Sequence, residues 1–181
     1  MRNYQTKEYM KKQLLALVAI GLFGAALQAA NKPVMVSLKD GDGKDVGTAK
    51  LSDGPGGKGV KIALNLKGMP AGEHAIHIHK TAVCEGPKFT TAEGHFNPES
   101  KKHGTMNPEG PHAGDMPNFM VTAKGTSKAS VMDPRVTLGA GPMSVFTGGG
   151  TALMVHAKGD DMKSDPAGNA GDRIACGTIK K

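Results

Sequence analysis

Apolar and polar residues alternate along much of the chain with a period of two. In PVMVSLKD the alternation puts Val34, Val36 and Leu38 on one face, and in GVKIALNLKG it does the same for Val60, Ile62, Leu64 and Leu66. Alternate residues of a strand project to the same side, so both runs predict half-buried β-strands. DGDGKD and SDGPGGKG, between them, are turn clusters. NFMVTAKG, KASVMDPRVTL and GTALMVHAKG read as further strands, with the glycine-rich GAGPMSVFTGGG as a connection. No segment carries a convincing amphipathic-helix period. Many short strands joined by Gly/Pro/Asp turns predict an all-β sandwich or barrel, with no internal repeat and no second domain.

The first thirty residues break this pattern. Lys11 and Lys12 precede an apolar run from Leu14 to Leu27, and Ala29 and Ala30 follow. Basic residues, a short apolar run and small residues at the cut are the order of a secretory signal peptide. The run is shorter than the roughly 20 residues of a membrane-spanning helix, and no cysteine near the cut offers a lipid attachment. Residues 1–30 are expected to be cleaved, leaving residues 31–181 as one soluble, exported domain with no stable membrane insertion. Met10, followed by two lysines, is an alternative start. Export leaves two destinations, the periplasm or the outside medium.

Charge adds little. The 181-residue chain has a formal net charge of +7, which falls to +4 without the first thirty residues, where Arg2, Lys7, Lys11 and Lys12 outnumber Glu8. Lysines are spread along the remainder, whose only arginines are Arg135 and Arg173, and aromatics are few. That is a poor nucleic-acid signature, although a weakly basic surface attracts small anions modestly. The eleven methionines are dispersed, as core filler rather than as a copper site.

The histidines change the picture. Six of the seven lie between Gly72 and Asp115, and the seventh is His156. In GEHAIHIHK, His77 and His79 share one strand face, while Ile76 and Ile78 point to the opposite side with His74. Two imidazoles fixed on one face form half of a metal site. The following EGHFNPESKKHGTMNPEGPHAGD has no apolar period, and a loop of that length needs an anchor other than packing. His95, His103, His112 and Asp115 are the candidate anchors.

AIHIH, GHFNP, KHG, GPHAGD, GGGTALMVHA and GNAGDRIACGTI, in this order and spacing, resemble the bacterial copper/zinc superoxide dismutases, from about Val34 to Ile179. The resemblance implies an eight-stranded Greek-key β-barrel, flattened and sandwich-like, with long metal-binding and electrostatic loops. It implies one copper held by His77, His79, His95 and His156, and one zinc held by His95, His103, His112 and Asp115. Seven ligand side chains then serve two four-ligand sites because His95 bridges both metals. The implied activity is conversion of superoxide to dioxygen and hydrogen peroxide, with His95 also moving a proton. Asp160 matches a carboxylate that hydrogen-bonds a ligand of each metal, expected here to be His77 and His103. His74 is expected to support the ligands without joining them, and Arg173 to guide the anionic substrate. The region Lys158–Asp172 would shape the field around the copper.

Cys84 and Cys176 are the two cysteines, and an even count in an exported protein favours a disulfide. Metal ligation is the competing role, but neither has a nearby cysteine partner. Three departures from the family's usual pattern stand out: Ala75-Ile76 in place of Gly-Phe, Ala82 near a usual glycine, and Glu93 in place of one. None removes a ligand. The alternative reading is a non-catalytic copper-binding module on the same fold, which the retained ligands and Arg173 disfavour. The sequence leaves a homodimer open.

Overall fold

The computed structural model describes residues 30–181, so the expected signal segment lies outside the described residues except for Ala30. Nine strand segments follow one another: β1 (Val34–Asp40), β2 (Asp45–Asp53), β3 (Val60–Leu66), β4 (Gly72–His74), β5 (Ile76–His79), β6 (Phe119–Val121), β7 (Ser130–Asp133), β8 (Thr151–His156) and β9 (Arg173–Ile179). Every ladder is antiparallel. Seven strands form one sheet in the order β5-β8-β9-β1-β2-β3-β7, and β4 pairs with β6.

Nine segments and eight expected strands describe the same architecture. β4 and β5 are separated by Ala75 alone, whose N–H donates to the Lys158 carbonyl (2.8 Å) and whose carbonyl accepts from His156 N–H (3.0 Å). The run thus passes at Ala75 from the small ladder to the large sheet. At the other edge, β6 leads towards β7 through a turn in which Thr122 N–H donates to the Thr126 carbonyl. The β4–β6 ladder therefore links segments that adjoin the two edge strands of the large sheet and curls it towards closure as a barrel.

The alternation in β3 survives intact: Val60, Ile62, Leu64 and Leu66 are buried and the residues between them exposed. In β2 it does not, because Val46 is an extra residue between the pairs Leu38–Gly47 and Lys39–Asp45. That bulge resets the parity, so Val46, Ala49 and Leu51 all reach the core. The core also takes Val36, Leu38, Ile76, Ile78, Leu153 and Val155.

β5 and β8 are buried on both faces. Their inner residues join the core. The outer face of β8, through Ala152 and Met154, packs with Phe89, Ala92 and Cys176 in a second apolar cluster. The cover is the segment after β5, tied down by the Cys84–Cys176 disulfide (Cα–Cα 5.7 Å). His77 and His79 lie on that same outer face, beneath the remainder of the loop. The site is built outside the barrel and roofed by chain.

Candidate metal centre

Two single-residue pairings bring the loop onto β5: His79 with His95, and His77 with Asp115. Around them, Phe96 N–H donates to the Ile78 carbonyl (2.8 Å), Ile78 N–H to Gly114 (2.9 Å) and Gly114 N–H to Phe96 (2.9 Å). His156 ends β8 on the face shared with His77, since His77 pairs with Met154 two residues earlier. Two sets of donor atoms converge from these elements: His77, His79, His95 and His156, and His95, His103, His112 and Asp115. All seven side chains are buried.

In the first set, each ring has one nitrogen without a hydrogen-bond partner: Nδ1 of His77 and Nε2 of His79, His95 and His156. Buried polar atoms normally find partners, and four bare imidazole nitrogens facing one another is the arrangement a bound cation satisfies. The opposite ring nitrogens are fixed. His77 Nε2 meets Asp160 Oδ2 (2.9 Å), His79 Nδ1 donates to the Glu93 carbonyl (2.9 Å) and His156 Nδ1 to Gly171 (3.2 Å). Such contacts set ring orientation and leave the inward nitrogen free to act as a ligand. Burial pushes His77 down; burial, with His95 and Arg173 adding charge, pushes His79 well down. Burial likewise pushes His95 and His156 down to about 4. Neutral imidazole is the form that binds metal.

The second set is tighter. Asp115 Oδ1 lies 2.8 Å from His95 Nδ1, 3.1 Å from His103 Nδ1 and 3.3 Å from His112 Nδ1, and the Nδ1 atoms of His95 and His112 are 3.3 Å apart. Ligands about 2.0–2.1 Å from a tetrahedral zinc would be separated by about 3.3 Å. The electrostatics also favour a cation. Burial works to lower His103, yet hydrogen bonds to Asp115 and Asp160 outweigh it and hold it up at about 9. Burial works to raise Asp115, and hydrogen bonds from His103, His112 and His95 hold it far below the carboxylate range. Both sets fit their metals in donor type: four imidazoles suit copper, and three with a carboxylate suit zinc.

His95 belongs to both sets, with Nδ1 in one and Nε2 in the other. Asp160 spans them from outside, with Oδ2 on His77 and Oδ1 3.0 Å from His103 Nε2. Asn118 holds Asp160 by its backbone, accepting from its N–H (2.9 Å) and donating to its carbonyl (3.0 Å). Nothing in the sequence marked Asn118. His74 is buried, its Nδ1 2.7 Å from the His156 carbonyl and its Nε2 2.8 Å from that of Pro70, so it braces β8 through the His156 backbone and adds no donor to either set.

Arg173 opens β9 directly opposite His156. It is half-buried, and donates from Nη1 to the Phe89 carbonyl (2.7 Å) and from Nη2 to that of Glu93 (2.6 Å). The Glu93 carbonyl therefore holds His79 and Arg173 together. Glu93 has φ 61°, in the region that favours glycine; its carboxylate is held by Lys80 Nζ (2.8 Å) and Thr81 Oγ1 (2.7 Å). Beside Arg173, Lys88 and Thr90 line an open cavity of about 580 Å³.

The fold and the two donor sets define a β-barrel protein with two adjoining candidate metal sites that share one imidazole. Residues 46–179 match the family described as copper/zinc superoxide dismutase, and the chain belongs to that family, whose metals are copper and zinc. It is 47% identical over 173 residues to "Superoxide dismutase [Cu-Zn] 2" of Aquifex aeolicus, covering 94% of this chain and all of that protein. Among solved structures, it resembles a superoxide dismutase-like protein from Bacillus subtilis (TM-score 0.77, 33% identity, 83% of this chain and 99% of that one). It also resembles the Cu/Zn superoxide dismutase of Brucella abortus (TM-score 0.67, 29% identity, 82% and 100%).

Proposed function

We propose that the chain dismutates superoxide at a copper held by His77 Nδ1 and by Nε2 of His79, His95 and His156. Zinc would be held by Nδ1 of His95, His103 and His112 with Asp115 Oδ1. The observation that carries this reading is the single imidazole of His95, with one nitrogen in each buried donor set. In the net reaction, two superoxide anions and two protons become one dioxygen and one hydrogen peroxide. Copper supplies the alternating one-electron chemistry, and zinc supplies none.

The protein's part is placement, proton transfer and attraction. His95 Nε2, the ring nitrogen with no partner, is the atom placed to hold a proton and pass it to the product, while Nδ1 faces Asp115 Oδ1 at 2.8 Å. Asp160 fixes the far nitrogens of His77 and His103, so that neither ring turns. Arg173, a permanent cation beside His156 and His79, draws the anion to the copper side. The intact histidine set and Arg173 favour the enzyme over a non-catalytic copper-binding module.

Residues 31–181 form the metal-binding domain and residues 1–30 the cleaved signal. The disulfide favours an oxidising compartment, and we assign the periplasm. The defining experiment is metal analysis with an activity assay on purified protein. We expect one copper and one zinc per chain, and His95→Ala to weaken both. Unchanged affinity for both metals in that variant would refute the shared ligand.

A further inference from the structure

Arg135 follows β7, far in sequence from the histidine cluster, and neither the motifs nor the strand pattern gave it a role. Its side chain reaches across to the short segment that presents two of the zinc-side ligands. Nε donates to the carbonyl of His112 (3.1 Å) and Nη2 to the carbonyl of Asp115. One guanidinium fork thus grips both ends of His-Ala-Gly-Asp. Within that segment, Asp115 N–H reaches the His112 carbonyl only at 3.4 Å, while His112 N–H donates to Asp115 Oδ2 at 2.9 Å. The turn's own hydrogen bonds are few, and the fork is an external clamp on it.

The clamp is itself anchored. Asp133 is fully buried, and its Oδ1 lies 3.3 Å from Arg135 Nη2 and accepts from Arg135 N–H at 3.0 Å. Its Oδ2 has no partner. Burial pushes the Asp133 carboxyl up to about 7, and the Arg135 charge opposes that rise. A buried carboxylate with half its acceptors unmet is costly to keep. Here it fixes the rotamer of an arginine aimed at the metal loop.

We propose that Arg135, seated by Asp133, is a positioning residue for the zinc side of the centre, holding His112 and Asp115 at ligand spacing through their backbone carbonyls. This rests on the metal assignment above. Two other roles make different predictions. Acting only through its charge, Arg135 would repel a divalent cation, and its removal would tighten zinc. Acting only as general packing, it would lower stability without singling out one metal.

The test starts from fully loaded protein and follows zinc release to a competing chelator, with copper retention in the same sample and the copper EPR spectrum as a second readout. Arg135→Met should weaken zinc retention by about 10–100-fold, the range for lost support of a metal ligand. Before zinc leaves, the copper spectrum should remain that of wild type. Arg135→Lys keeps the charge but lacks the fork that spans two carbonyls, so its loss should be intermediate. Should Arg135→Met not fold, Arg135→Lys and Asp133→Asn supply the same comparison, each with weaker zinc retention than wild type. Zinc held as well as or better than in wild type, or zinc and copper lost in parallel, would overturn the proposal alone. A wild-type chain that holds no zinc would overturn the metal assignment and this proposal with it.

Discussion

Gly168 offers a direct test of how closely the loop after β8 is fitted to the centre. It has φ +62°, and a Cβ there would fall 1.7 Å from Asp160 Oδ1 and 2.7 Å from His103 Nε2. The Asp160 carboxylate cannot retreat, since His77, His103 and Met162 N–H hold it at 2.9, 3.0 and 2.6 Å. Gly168→Ala must therefore displace the loop or break the bridge. The left-handed backbone alone costs an alanine about 1 kcal/mol. One lost charge-assisted hydrogen bond adds about 1.5–3 kcal/mol. Together these give about 2.5–4 kcal/mol, or about 10 °C in Tm for a domain of this size. Gly43→Ala is the internal control. Gly43 has φ +83° with nothing within 4 Å of the added methyl, so it should lose only the backbone part, about 2–4 °C. Calorimetry of both variants at matched metal loading, with metal analysis after dialysis against a chelator, separates the two costs. Only Gly168→Ala should also lose metal. Equal Tm losses with equal metal retention would mean that the Asp160 bridge is not what this glycine protects.

Two further outcomes follow from the same geometry. Arg173→Ile should lower kcat/KM and Arg173→Glu should lower it further, with salt slowing wild type most, since screening removes the attraction; pulse radiolysis giving one common salt slope would reject the steering role. Cys84→Ser frees the segment whose Phe89 and Glu93 carbonyls hold Arg173, so stability should fall by a few kcal/mol and activity per bound copper should drop; full activity per copper would break the link between disulfide and arginine.

The barrel was largely legible in the sequence because β1 and β3 keep a period of two and turn clusters separate the short apolar runs. β3 is the clearest case, since every second residue meets the core. β2 carries no readable alternation because the bulge at Val46 breaks the period where the strand begins. The break at Ala75 was visible only as a departure from Gly-Phe; its physical meaning is a change of partner strand, which no local pattern encodes. The two donor clusters were legible for the opposite reason. Histidine is too costly to bury without partners to be spent casually, and all seven stand within motifs. Asn118, the Glu93 carbonyl and Arg135 were not legible. Each acts through backbone atoms distant in the chain, and such pairings leave no trace in residue type or spacing.

The centre draws its donors from points as remote as His77 on β5 and His156 on β8, which adjoin only after the chain has run out through the loop, β6 and β7 and returned. Closing so long an excursion has an entropic cost that must be met before the packing it permits can offset it, and all-β topologies dominated by such long-range pairings fold slowly, over milliseconds to seconds. A partly folded chain therefore offers copper only fragments, such as the His77–His79 pair, and offers zinc little more. On this topology tight metal capture should come late, and loading would report that the last strands have docked. An exported chain of this design would travel without its metals and depend on the compartment of its folding to supply them.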